Sequence, residues 1–161
     1  MENKLLRVGY YQQIVPAESG VAPDFSVNID SLSDVSDGLM PGDYLGGPIQ
    51  GTFAIDYTGF DRWRKLLSLA ALNYDAETIW TNPEVFMGEP FYEIIHCERK
   101  SVFGPNTCSK LSNDFSEGEE KIEKYLSEVA SNDEAQRFME IYQLFKKAFH
   151  TAKDSGCTIF F

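Results

Sequence analysis

The sequence predicts an α+β fold: a mixed or antiparallel sheet with three to four helices packed on one face, and a short C-terminal strand. Three observations predict it. Apolar residues alternate with a period of two before Gly59, recur at spacings of three and four after it, and end in a short apolar run, CTIFF. With 161 residues, 43% of them hydrophobic, and no internal repeat, the chain is expected to form a single domain over 1–161 with a sizeable core. Its 12 Phe and 8 Tyr make that core an aromatic one.

Residues 4–15, KLLRVGYYQQIV, are rich in β-branched and aromatic types and read as the first strand, which PAESGVAP breaks. In residues 24–30, DFSVNID, Phe25, Val27 and Ile29 alternate with polar residues, the pattern of a half-buried strand. Residues 31–51 hold five Gly, two Pro and three Asp with little periodicity, and predict a long loop with at most one short helical turn. TFAIDY returns to strand alternation.

From Gly59, the residues Phe60, Trp63, Leu66, Leu67 and Ala70 form one helical stripe. Asp61 is placed in its first turn, where it complements the helix dipole, and Asn73 ends it. DAETIW reads as a short helix closed before Pro83. PFYEIIHC is apolar and aromatic, bounded by Pro90, and reads as a strand. Gly104-Pro105 opens a helix over about Asn106 to Phe115, with proline at or near its first position. Gly118 interrupts it before a segment with Ile122, Tyr125, Leu126 and Val129 on one face. Asn132 or Asp133 caps the last helix, which buries Phe138, Ile141, Tyr142, Phe145, Ala148 and Phe149 and stops at Gly156.

Charge restricts function more than any motif does. Lys and Arg number 14 against 25 Asp and Glu, a formal net charge of -11. Such an exterior repels phosphates, so direct nucleic-acid binding is not expected. It favours basic partners, including the basic faces of nucleic-acid-binding proteins. The N-terminal MENKLLRVGYYQQ has no long apolar core of a signal peptide, and no apolar run reaches the ~18 residues of a membrane span. The expectation is a cytoplasmic protein without a membrane partner. Three cysteines cannot all pair internally and do not make a disulfide scaffold.

The stretch EIIHCERKSVFGPNTCSKLSNDF brings His96, Cys97, Glu98 and Cys108 close together in sequence. A zinc site needs about four converging ligands, and neither CxxC nor HxxxH spacing is present. Ten residues separate Cys97 from Cys108, and His150 and Cys157 lie far downstream. A Cys–His nucleophile built from Cys97 or Cys108 with His150 is a sharper possibility, because Cys108 sits near a helix N-terminus that lowers a thiol pKa. No glycine elbow or oxyanion signature accompanies it. Asp30, Asp34, Asp37 and Asp43 do not fit a calcium loop: counting from Asp34, Ser36 and Gly38 stand where ligands are required. No phosphate-binding glycine motif is present. No catalytic, cofactor or metal residue is therefore assigned.

The segments GFDRWRKLLSLAAL, PFYEIIHCERKSVFGPNTCSKLSNDF and IYQLFKKAFHTAKDSGCTIFF carry a resemblance. Through Gly59, Phe60, Trp63 and Arg64, then Gly104 and Pro105, then Lys110, Leu111, Asp114 and Phe115, the chain is similar to a family of small uncharacterised bacterial and phage proteins. Some relatives of that layout are described as immunity proteins of bacterial toxin systems. The resemblance spans about residues 51–161. It departs at the turn, where His96-Cys97-Glu98-Arg99-Lys100 replaces the family's acidic Ser-Asp-Cys run. It implies binding rather than turnover.

The reading is a small acidic interaction protein that binds and inhibits a protein partner with a basic surface, of toxin-immunity or phage anti-defence type. Asp30, Asp34, Asp37, Asp43 and Tyr44 are its expected partner-binding residues. Arg64 is expected to pair with Asp114 or Glu93. A small enzyme using Cys97 or Cys108 with His150, and a phage structural or accessory subunit, are the alternatives.

Overall fold

Alternation in β1 (Leu5–Tyr11) turns Leu6, Val8 and Tyr10 to one side, where all three are buried. In a computed structural model describing residues 4–28 and 32–161, this strand lies inside a four-stranded antiparallel sheet. The order is β5 (Gly51–Asp56), β1, β7 (Cys157–Phe160), β6 (Ser101–Phe103). Val8 stands opposite Phe53 on one side and Phe160 on the other. The closing CTIFF run is thus an inner strand that joins the two ends of the chain.

Helices cover the face to which Val8 and Phe160 point. They are α1 (Tyr57–Leu72), α5 (Pro105–Glu117), α6 (Glu119–Val129) and α7 (Asn132–Ala152), with the short α2 (Ala76–Thr81), α3 (Pro83–Phe86) and α4 (Tyr92–His96) at the periphery. The layers meet through rings: Phe53 against Phe145 at 5.1 Å, Phe60 against Phe160 at 5.8 Å, Phe103 against Phe149 at 5.2 Å. Trp63 sits between α5 and α7, within 5.4 Å of Phe138 and 5.0 Å of Phe145, and its Nε1–H donates to the Phe138 carbonyl. The α+β architecture with an aromatic core is as expected.

Several local readings change. The region 31–51 is not all loop: besides a 3-10 turn at Asp34–Ser36, it contains β4 (Gly42–Leu45). This strand lies between β2 (Val15–Pro16) and β3 (Phe25–Val27) in a second, three-stranded sheet. Four residues that begin with Gly42 and are followed by Gly46 left too little alternation to read. The expected first strand accordingly splits between the two sheets, and Ile29 and Asp30 of the expected second strand lie outside the described residues.

PFYEIIHC, expected as a strand, is helical over Tyr92–His96. The run is apolar because Tyr92, Ile94 and Ile95 are all buried, and a short buried helix has no periodicity to distinguish it from a strand. Its entry is a Phe91 held at φ 63, whose N–H is accepted by Asp114 Oδ2 at 3.0 Å. Helix α1 begins at Tyr57, because Asp56 Oδ1 accepts the Gly59 N–H at 2.8 Å; Asp61 therefore lies beyond the first turn. Ser131, not Asn132 or Asp133, caps α7.

Other punctuation stands as read. Asn73 ends α1 at φ 60, Pro105 opens α5, and Gly118 separates α5 from α6. Gly156, expected to stop α7, is not its C′ residue: the helix ends at Ala152 with Lys153 as its cap and Asp154 at φ 72, and Gly156 is required sterically, since a Cβ there would lie 1.9 Å from the Tyr11 carbonyl oxygen of the adjacent strand.

Candidate functional site

The Asp-rich segment is fastened to the body of the protein rather than left in solvent. Its 3-10 turn buries Val35 in the core, and Ser36 Oγ donates to the Val102 carbonyl at 2.8 Å. Gly104 N–H donates to the Val35 carbonyl at 2.9 Å and Asn106 N–H to the Asp37 carbonyl at 3.3 Å. The segment thereby caps the start of α5. Gly104 permits this approach, since a Cβ there would stand 2.1 Å from the Asp37 carbonyl oxygen.

Beyond Gly38, at φ 95, the chain turns outward and is braced again. The Met40 N–H donates to Tyr44 Oη at 3.1 Å, and that hydroxyl donates to the Met40 carbonyl at 2.8 Å. The Tyr44 ring stacks on Phe25 at 5.4 Å, and Phe25 on Tyr11 at 5.4 Å. Tyr44 is only 8% exposed, whereas the Met40 that it holds is 74% exposed.

A cleft of about 610 Å³ opens beside this brace. Ile14 and Pro16 line it from the β1–β2 stretch, Leu39, Met40 and Pro41 from the braced turn, and Pro105 from α5. Asp43 and Asp154 add carboxylates. Asp43 Oδ1 accepts from Ser26 Oγ at 2.6 Å. Asp154, at φ 72, gives its N–H to Ser109 Oγ at 2.9 Å and accepts from that hydroxyl at 3.2 Å. Asp37 is exposed one residue before the lining begins. Among the described residues, no Lys or Arg forms an ion pair with Asp37, Asp43 or Asp154.

Of the expected binding residues, Asp43 and Tyr44 come together at this cleft, with Asp37 at its margin. Tyr44 forms part of the lining but keeps the turn in place, so the exposed apolar contact at this point is Met40. Asp30 lies outside the described residues, as does the side chain of Asp34. Asp154 was not signalled by spacing; a helix end followed by Asp-Ser-Gly is its only local mark.

A second cluster surrounds Arg64, which is 7% exposed. Its Nη1 donates to the carbonyls of Ile95 at 3.2 Å and Cys97 at 2.7 Å, and its Nη2 to Asp61 at 2.8 Å. The guanidinium lies over the Phe60 ring at 4.5 Å. Arg99, stacked on Tyr57, takes the other Asp61 oxygen at 2.5 Å. Partial burial pushes the Asp61 carboxyl up, but hydrogen bonds and charge from Arg64 and Arg99 together hold it below the usual value. Arg64 thus ties the end of α4 to α1. It does not pair with Glu93 or Asp114, which both bind Lys110, at 2.7 and 2.9 Å.

The three cysteines are free and buried. Burial pushes the Cys97 thiol up to about 12, although the Arg64 charge opposes it. Cys108, placed near the start of α5, is likewise pushed up to about 12 by burial, which outweighs its hydrogen bonds with Thr158. Its thiol contacts the Phe103 carbonyl at 3.4 Å and Thr158 Oγ1 at 3.7 Å. Burial raises Cys157 further. His150 Nδ1 lies 3.3 Å from Ser112 Oγ. Among the described residues, no three His, Cys, Asp or Glu side chains are grouped to hold a metal ion, and no helix is long and apolar enough to cross a membrane. No family model, curated protein or solved structure matches the chain.

Proposed function

We propose that this chain is a small acidic interaction protein that binds and inhibits a protein partner with a basic surface, as a toxin-immunity or phage anti-defence protein does. One observation carries the reading: carboxylates that form no ion pair among the described residues stand beside an open cleft, on a chain whose net charge is -11. Long-range charge would speed encounter with a basic face, and desolvated apolar contacts would hold the complex. Resemblance over 51–161 to a family with immunity-type relatives points the same way. The cysteine enzyme alternative gains no support from thiols that are buried and hard to ionise.

Affinity capture from the native host cell, using the tagged wild type alongside Asp37→Asn/Asp43→Asn/Asp154→Asn, tests the proposal. A partner with a basic surface retained by the wild type and lost by the triple variant is expected. Equal retention by both forms, or recovery of nucleic acid alone, contradicts it.

A further inference from the structure

Several donors around the cleft are missing or already used. Pro16, Pro41 and Pro105 have no N–H to offer, the Met40 N–H is given to Tyr44, and the Leu39 N–H is given to the Ser36 carbonyl. The Tyr44 hydroxyl already donates to Met40. What this lining leaves available is the side chains of Gln13 and Ser155, two carboxylates, Asp43 and Asp154, and apolar surface. An anionic ligand would meet repulsion from both carboxylates. A guanidinium or ammonium, rich in donors and without acceptors, complements the site in both charge and hydrogen bonding.

Resting on the acidic-binder reading above, we infer that the cleft seats an extended segment of the basic partner protein, which sets an Arg or Lys against Asp43 and Asp154 and an adjacent apolar side chain against Met40. Methionine suits that contact because its unbranched thioether adapts to the surface it meets. Tyr44 is the positioning residue. Its hydroxyl closes the Met40–Tyr44 turn from both sides, and its ring is fixed by Phe25, so the turn is ordered before the partner arrives. Pre-ordering reduces the entropy lost on binding.

Two measurements on the purified full chain test this. The first needs no partner. Hydrogen exchange at the Met40 amide is slow in the wild type and becomes fast in Tyr44→Phe, while the melting temperature changes little because the ring stack with Phe25 remains. An equally fast wild-type amide overturns the pre-ordered turn and leaves the acidic-binder reading standing.

The second is an NMR titration at low salt, with methionine methyl groups labelled, using a blocked peptide that alternates Val and Arg and a control with Glu in place of Arg. The Arg peptide shifts Met40 and the backbone of Leu39–Asp43 and Ser155, the Glu peptide does not, and Asp43→Asn/Asp154→Asn weakens the effect at least about tenfold. Tyr44→Phe weakens it severalfold. Shifts concentrated instead on the Glu-rich face of α6 overturn the cleft assignment alone. No shift at any position with either peptide overturns both the cleft and the charge-based reading.

Discussion

Arg64 shows how one side chain can carry the geometry of a whole corner. Its guanidinium satisfies two carbonyls at the end of α4 and one carboxylate on α1 while lying against the Phe60 ring. Replacing it with alanine takes the donor from the Cys97 carbonyl, leaves the Ile95 carbonyl with Trp80 Nε1–H alone and leaves Asp61 with Arg99 alone. Arg64→Ala is expected to lower stability by about 3 kcal/mol, and Arg64→Lys by about 2 kcal/mol, because one ammonium cannot reproduce the planar fork. Urea unfolding of the two variants gives these values; a loss under about 0.5 kcal/mol, typical of surface changes, would show that the corner holds without it.

The thiols define a different limit. Cys97 and Cys108 are pushed from an ordinary 9.0 to about 12 by burial. The unfolded chain therefore loses those protons first, and their contribution to stability is intact below the unfolded pKa and declines as pH rises from about 9 toward 12. Stability measured across that window should fall, and Cys108→Ala should flatten the fall. Thiol reagents at neutral pH should label none of the three cysteines without denaturant. Rapid labelling of the native protein would show that the thiols are reachable.

The β6–α5 junction depends on a single missing methyl. Gly104 lets the Asp37 carbonyl oxygen approach to where a Cβ would be 2.1 Å away. Gly104→Ala should release the Val35–Gly38 segment, seen as fast exchange of the amides at position 104 and at Asn106, with the exchange of β1 and α7 little changed. Unaltered exchange at both amides would mean that the turn absorbs the extra group.

This junction also explains why the sequence was readable in some places and not in others. Helices α1, α5 and α7 were readable because each repeats its apolar stripe over three or more turns, and α1 and α5 also carry Asn73 and Pro105 at their ends. Helix α4, with five residues, has too few for a stripe to emerge, and its buried Ile94 and Ile95 resemble a strand core. Strand β4 is four residues long and begins with glycine, so its pairing with β2 and β3 rests on contacts distant in sequence. The cleft divides in the same way. Asp43 and Tyr44 were visible as part of an acidic, glycine-rich segment. Asp154 enters only because β7 returns to pair with β1, a tertiary event that no local spacing records.

Taken as one body, the protein keeps its chemistry at the surface. Its aromatic side chains fill the space between sheet and helices, its thiols lie buried, and its buried arginine is bound to carbonyls and a carboxylate. The excess of acidic groups remains outside, and near the cleft those groups have no cationic partner among the described residues. An exterior of this kind should act through screened, long-range attraction, which weakens as the Debye length contracts from ~30 Å at 0.01 M salt to ~10 Å at 0.1 M. The most direct check is the dissociation constant of the captured partner complex over that salt range, for the wild type and for Asp37→Asn/Asp43→Asn/Asp154→Asn. Affinity that falls steeply with salt in the wild type and only shallowly in the triple variant is the predicted result. Identical affinities at both ends of the range would contradict a charge-driven binder.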